Sequence, residues 1–195
     1  MLPGETAPPV TRVFRFDVSA ELTTPTGEDY SLVHNSAKAI RLGWFGSNPT
    51  PNFAVGLSSR IVLTEPVRAD ETLLFFDMIG LYLRLAVPVA PGLKGFVEAD
   101  PSLVGMHVRC ENPTDALCND DGNEFVLRGG ITGRVGGLYE LVPGRLDLNG
   151  YLALEKTIPD DGGWFSIGVG LTAHTGPTHI EMKRRQQALQ QQRTR

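Results

Sequence analysis

Apolar and polar residues alternate along most of the chain with a period of two, the pattern of a β-strand whose two faces meet different surroundings. In the first such segment Phe14, Phe16 and Val18 share one face, and Arg15 and Asp17 share the other. The same alternation recurs in five further segments, which cover residues 40–44, 55–63, 127–141, 146–155 and 165–173. The pattern therefore predicts an all-β protein.

Two more segments follow the alternation less regularly. In residues 72–89, Asp77 and Arg84 have opposite parity, and a one-residue bulge near Ile79–Gly80 would bring both to the polar face. Residues 95–109 are interrupted at Asp100–Pro101, and proline is tolerated in strands mainly at edges or bulges. With these two segments included, the sequence predicts eight strands.

The connections between the predicted strands alternate roughly between long and short, which favours up-and-down connectivity. The first connection, in residues 23–36, and the fifth, in residues 110–123, are the long ones. We predict an all-β fold, an eight-stranded antiparallel up-and-down β-barrel over residues 12–174, with both termini at the short-turn end. Residues 1–11 are a Pro-rich N-terminal arm, and residues 175–195 are a polar C-terminal tail.

Alternation alone does not show which face is inside, because soluble lipocalin-like barrels and transmembrane barrels have opposite orientations. The apolar face is nearly free of charge over about five positions per strand, enough for a band ~25 Å tall. The chain holds 14 Arg but only 4 Lys, and six of the arginines lie on the predicted polar faces. Arginine suits enclosed charge because its planar guanidinium binds carboxylates bidentately. These features favour a transmembrane barrel.

Charges of both signs occur in equal numbers on the predicted polar faces, so they could form an ion-pair network in the lumen. The predicted lumen residues are Arg15, Asp17, Glu21, Arg41, Arg60, Asp77, Arg84, Arg128, Arg134, Glu140, Asp147 and Glu155. Aromatic residues gather near the predicted strand ends, where membrane interfaces favour them. These aromatic residues are Phe14, Trp44, Phe45, Phe53, Phe76, Tyr139, Trp164 and Phe165.

In strand count, alternation and loop asymmetry, residues 12–174 resemble the small eight-stranded outer-membrane β-barrel proteins of Gram-negative bacteria. The resemblance includes Gly-rich strands such as RGGITGRVGGLYEL and the final hairpin LDLNGYLALEKTIPDDGGWFSIGVGLTA. It implies a lipid bilayer as partner and the bacterial outer membrane as location. Members of this family often end on the last strand with an aromatic residue, whereas here about twenty residues follow it. The N-terminal residues do not follow the pattern of a signal peptide, and we expect that a signal peptide has been removed.

The composition of the chain limits the partners and cofactors that we expect for it. The net charge of −4 and the pI near 5.6 do not favour nucleic acid as a partner. The two cysteines and four scattered histidines form no metal-binding pattern, so we expect neither metal nor cofactor. Cys110 and Cys118 lie in the longest acidic loop, and we expect a disulfide between them, formed in an oxidising compartment. The acidic residues of that loop do not follow the EF-hand spacing for Ca²⁺, which favours a solvated loop.

One pair of residues could suggest hydrolysis. His34 and Ser36 form a His-x-Ser pair like that of outer-membrane lipid A deacylases, but no acidic partner is evident on the apolar face. We therefore expect no enzyme. Eight strands enclose an interior that side chains can fill, so a wide pore is not expected. The predicted role is structural or interactive, with surface loops contacting a surface polymer or a surface or periplasmic protein. A soluble lipocalin-like carrier and a barrel lipid hydrolase remain alternatives.

Overall fold

The computed structural model describes residues 14–27, 31, 35–50, 52–64, 71–110, 123–159, 162–175, 187 and 190. Within these residues the chain forms eight β-strands. In chain order they are β1 (Phe14–Thr26), β2 (Ala37–Thr50), β3 (Phe53–Leu63), β4 (Glu71–Ala90), β5 (Leu93–Cys110), β6 (Asn123–Val142), β7 (Leu146–Ile158) and β8 (Gly163–Thr175). The two described residues of the C-terminal tail, Gln187 and Gln190, are helical.

Each strand pairs with the next in antiparallel orientation, and β8 pairs with β1, so the sheet closes into a barrel. The predicted eight-stranded up-and-down barrel is thereby confirmed. Phe14 pairs with Thr175, and the backbone N–H of His174 donates to the carbonyl of Arg145 in the β6–β7 turn. The first strand therefore begins, and the last strand ends, at the end of the barrel that carries the short turns.

The register of the strands gives the barrel its stagger. One row of paired residues starts at Phe14 and returns to β1 at Thr24, ten positions further along. The row runs Phe14, Ser47, Val55, Leu83, Ala99, Gly133, Leu154, Phe165 and Thr24. A shear number of ten with eight strands corresponds to strands inclined by about 40° to the barrel axis.

The predicted bulge in β4 is confirmed one residue from its expected position. The register against β5 shifts between Asp77 and Ile79, and Met78 and Ile79 are both exposed. Asp77 and Gly80 on either side of them both face the interior. Without the extra residue, Asp77 or the carboxyl-terminal half of β4 would face the wrong side, because a one-residue slip reverses every side chain.

Three strands are longer than the others. Strands β4, β5 and β6 have 20, 18 and 20 residues, whereas the remaining five have 11 to 14. Pairing between β5 and β6 continues to Arg109 and Asn123, but pairing between β6 and β7 starts only at Gly129. This side of the wall therefore extends beyond the rest at the long-loop end.

The outer surface is apolar. Val135, Leu152 and Ile167, which lie side by side on β6, β7 and β8, expose 55%, 46% and 56% of their surface. The residues that alternate with them on β7 and β8, such as Tyr151 and Ser166, face inward and are buried. This orientation is the one predicted for a transmembrane barrel and the reverse of that of a soluble carrier. Among the described residues, no helix is long and apolar enough to span a bilayer.

Candidate functional site: the barrel interior

The interior of the barrel is filled by charged side chains from strands β1 to β7, and β8 adds the buried hydroxyl groups of Ser166 and Thr172. Ten of the twelve predicted lumen residues are buried there, namely Arg15, Asp17, Glu21, Arg41, Arg60, Asp77, Arg84, Arg134, Asp147 and Glu155. Two further acids, Glu98 and Asp100, are buried with them. Inward-facing positions alternate with outward-facing ones along a strand, and closure of the sheet brings charges from strands as far apart in sequence as β3 and β7 into one space.

One group of interior charges surrounds Arg60 and is called here the Arg60 cluster. The Nε of Arg60 donates to Glu21 at 2.7 Å, and the Nη1 of Arg60 contacts the carboxylate of Glu155. Asp77 lies 3.9 Å from the same Nη1, and Nη2 donates to the Ser166 hydroxyl at 3.0 Å. One guanidinium thus joins side chains from five strands. Its planar set of five donors allows this, since an ammonium group has no comparable fixed geometry.

A second group surrounds Glu98 and is called here the Glu98 cluster. Glu98 accepts hydrogen bonds from Arg41 at 2.8 Å, Arg84 at 2.5 Å and Arg134 at 3.0 Å. Asp100 accepts from Arg134 at 2.8 Å, from Ser58 at 2.8 Å and from Arg41 at 3.4 Å. Three guanidinium groups therefore share two carboxylates, and each carboxylate serves more than one partner.

Arg84 connects this cluster to the short-turn end of the interior. Its Nη1 lies 3.5 Å from Asp17, which also accepts two hydrogen bonds from the Nε and Nη2 of Arg15 at 3.0 Å. The Thr172 hydroxyl donates to Asp17 and accepts from the amide of Asn149 at 3.0 Å. The interior charges consequently form connected layers rather than isolated pairs.

Aromatic rings occupy the space beside the guanidinium groups. Arg84 lies 4.5 Å from the centroid of the Phe96 ring and 5.7 Å from that of Tyr82, distances at which cation–π attraction operates. The Tyr151 hydroxyl donates to Glu21 at 2.7 Å and bonds to Ser19 at 2.6 Å. A Cβ on Gly168 would lie 2.3 Å from the Tyr151 ring, so the ring needs glycine at this position.

The long-loop mouth of the interior is apolar. We call the apolar cap the buried cluster of Ala37, Ala39, Val62, Val104 and Trp164. Ala37 begins β2 and Val62 lies one residue before the end of β3, which places them beside the long-loop rim. Trp164 is fully buried, so the prediction that it belongs to an interfacial aromatic girdle is wrong. Phe14, Tyr139 and Phe165, in contrast, point outward as predicted.

Two predicted lumen residues lie outside the buried interior. Glu140 is exposed, and its carboxylate accepts a hydrogen bond from the backbone N–H of Gly144 at 2.5 Å. It therefore stabilises the β6–β7 turn and takes no part in the lumen network. Arg128 is half-buried and donates to the carbonyl of Leu127 at 3.3 Å, on the part of β6 that extends beyond β7. Both have the correct parity but lie towards the two ends of β6, away from the buried clusters.

Glu98 and Asp100 were missed in the prediction. Both lie at alternate positions of β5, together with Phe96, but Pro101 had suggested a break in the strand. Pro101 instead faces outward and pairs with Ile131 of β6, and the alternation continues across it. The alternation of Phe96, Glu98 and Asp100 with Val97 and Ala99 was the signal that could have identified them.

Several predicted features fall outside the described side chains. They are the Cys110–Cys118 disulfide, the acidic loop of residues 111–122 and His34. Ser36 is described and is exposed at the start of β2. Within the described ranges, no group of three or more His, Cys, Asp or Glu side chains could hold a metal ion.

An apolar exterior around a charged, packed interior defines an eight-stranded transmembrane β-barrel. The fold is that of the small outer-membrane barrels of Gram-negative bacteria. Neisserial surface protein A (NspA) has this fold, with a TM-score of 0.64, 12% sequence identity, and coverage of 82% of this chain and 96% of that one.

Ail, the attachment invasion locus protein of Yersinia pestis, is also similar, with a TM-score of 0.54 and 8% identity over 85% of this chain and 99% of that one. A structure of Ail in complex with the heparin analogue sucrose octasulfate has the same TM-score of 0.54, at 9% identity. No family model matches the chain, and no curated protein is significantly similar in sequence. The likeness at these identities shows the fold alone.

Proposed function

We propose that this protein is an outer-membrane barrel with a structural or interaction role, whose interior is a solid ion-paired core. The observation that carries the proposal is the reversed orientation of the wall, with apolar residues outside and five arginines and seven acids buried inside. The hydrocarbon core of a bilayer is a favourable environment for such an exterior. A closed barrel also gives every backbone polar group in the bilayer a hydrogen-bond partner on a neighbouring strand. Two features of the interior support the absence of a pore.

The first feature is that the charged side chains engage one another across the full width of the interior. Arg60 of β3 reaches Glu155 of β7, and Arg41 of β2 reaches Glu98 of β5. The second feature is the apolar cap, which presents Trp164 and Val62 where ions would have to enter. Ions crossing this interior would have to displace paired charges and apolar side chains together.

The long-loop end is where we place the interaction role. Strands β4, β5 and β6 extend beyond the remaining wall there, and the four connections at this end carry ten acidic residues against one arginine. Such a surface favours a cationic partner, whose approach it would accelerate at low ionic strength. Ail was solved with a polysulfated ligand, but the acidic loops of this chain argue against an anionic polymer as its partner.

Two further properties belong to the same proposal. The Cys110–Cys118 disulfide would close a short ring within the acidic loop, and an exported protein passes through an oxidising compartment in which such a disulfide can form. No enzymatic activity is assigned, because among the described residues no acid accompanies Ser36 on the outer wall.

The proposal is tested by purification and conductance measurements on the intact chain. We expect the protein to require detergent, to migrate differently on a denaturing gel before and after heating, and to produce no conductance steps in planar bilayers. Poly-lysine should bind the micellar protein in a salt-dependent manner, and sucrose octasulfate should not bind. A detergent-free monomer would contradict membrane insertion, stable conductance steps would contradict the closed core, and binding of the polysulfate alone would contradict the acidic interaction end.

A further inference from the structure

A cleft of about 550 Å³ lies at the long-loop rim of β1, β2 and β3, and most of the residues that line it are on the outer face of the wall. Its lining includes Leu22, Lys38, Leu63 and three hydroxyl residues, Thr24, Ser36 and Thr64. Thr23 also borders it, but the Thr23 side chain is buried and donates to the Ala37 carbonyl at 3.4 Å. Among the described residues that line the cleft, none is acidic.

Lys38 lies at the boundary between the apolar wall and the polar rim. It is the second residue of β2 and is exposed, and its neighbours in the register are Leu22 of β1 and Leu63 of β3. Both leucines point outward, with 66% and 57% of their surface exposed. A lysine at the bilayer midplane costs roughly 2–4 kcal/mol, but near the interface this cost falls to about 0–1 kcal/mol.

The wall below Lys38 is suited to acyl chains. Two residues further into the membrane, Ile40 and Ile61 are paired on β2 and β3 and expose 54% and 51% of their surface. Towards the loops, the lining changes to hydroxyl groups within two residues. The cleft thus presents an apolar lower part and a cationic, hydroxyl-rich upper part, in the order in which a lipid presents its chains and its phosphate.

We infer that this cleft binds a membrane lipid with a phosphorylated headgroup, held by the Lys38 ammonium group and the hydroxyl groups around it. The ammonium group supplies three hydrogen-bond donors to phosphate oxygens, and the hydroxyls of Thr24 and Ser36 are placed to supply more. Ser36, which the sequence had suggested as a possible nucleophile, thereby becomes a headgroup ligand. The inference rests on the proposed membrane location of the barrel.

Binding is measured with phosphatidic acid as the probe, by native mass spectrometry of the protein released from detergent micelles. Lys38→Gln should weaken retention of phosphatidic acid by about tenfold, the loss expected from one charge-assisted hydrogen bond. Lys38→Arg should retain the lipid. Lys156→Gln is the matched control, because Lys156 is an exposed outward lysine near the same rim on β7, and it should behave as the original chain does.

Three results would overturn the inference: equal retention by Lys38→Gln, equal loss in Lys156→Gln, or complete displacement of the lipid by inorganic phosphate, which would indicate a simple anion site. In each of these cases the barrel would still insert into bilayers, so the proposed function would stand. A chain that did not insert at all would overturn the proposed function itself.

Discussion

Replacing Leu152 with arginine is expected to impair folding of the barrel into bilayers by roughly 2–4 kcal/mol. Leu152 is the central residue of β7, points outward and is flanked by Val135 and Ile167 on the neighbouring strands. In this position a guanidinium would lie near the bilayer midplane, far from water and from any carboxylate of the interior. Equilibrium unfolding by denaturant in lipid vesicles measures the loss.

The control for this prediction lies on the same strand. Ile158 is the last residue of β7 and is 54% exposed, so Ile158→Arg places the same group at the rim, where the cost is about 0–1 kcal/mol. Leu152→Ala should be milder than Leu152→Arg, because it removes apolar contact but introduces no charge. Equal effects of arginine at positions 152 and 158 would argue that the outer wall is not in a bilayer.

The second large effect is expected for Glu98→Gln. This substitution keeps the shape of the side chain but removes the charge shared by Arg41, Arg84 and Arg134. Asp100 would then face an excess of buried guanidinium groups. Removing one partner of a buried ion pair costs roughly 3–5 kcal/mol, because the remaining charge is left uncompensated. Denaturant unfolding in vesicles again provides the measurement.

Two companion variants make the interpretation specific. Glu140→Gln removes an acid at the exposed turn, where a surface substitution changes stability by no more than about 0.5 kcal/mol. The double substitution Glu98→Gln with Arg134→Met removes one of the uncompensated charges and should recover part of the loss. A double variant less stable than Glu98→Gln alone would show that the pairing of charges is not what stabilises the interior.

Most of the fold could be predicted because it depends on the local alternation of apolar and polar residues. A strand with one face in lipid and one in the interior keeps a strict period of two, and the parity of Asp77 and Arg84 was enough to reveal the bulge between them. The same rule explains the error at Trp164, because it precedes the outward-facing Phe165, and neighbouring residues of a strand without a bulge point to opposite faces. Local pattern thus decides which face a residue occupies.

Local pattern does not decide the height of a residue along the barrel. That height depends on the shear of ten and on how far each strand continues beyond its neighbour, which are properties of all eight strands together. Glu140 and Arg128 have the parity of lumen residues but lie towards the two ends of β6, where Glu140 is exposed and Arg128 is half-buried. Some partners lie directly opposite on the neighbouring strand, as Arg84 does for Glu98, but others, such as Glu155 for Arg60 and Arg41 for Glu98, come from non-adjacent strands. The sequence could therefore suggest a charged interior but not its pairs.

The most direct test of the membrane-barrel account is photolabelling of the unmodified protein in vesicles that contain a lipid with a diazirine group in its acyl chain. Tandem mass spectrometry then assigns the label residue by residue along β7 and β8. The account predicts label on Leu152, Leu154, Ile167 and Val169, and none on the intervening Tyr151, Ala153, Ser166 and Gly168. Label on the intervening residues, or no label on either strand, would contradict a barrel whose apolar face meets lipid and whose charges lie inside.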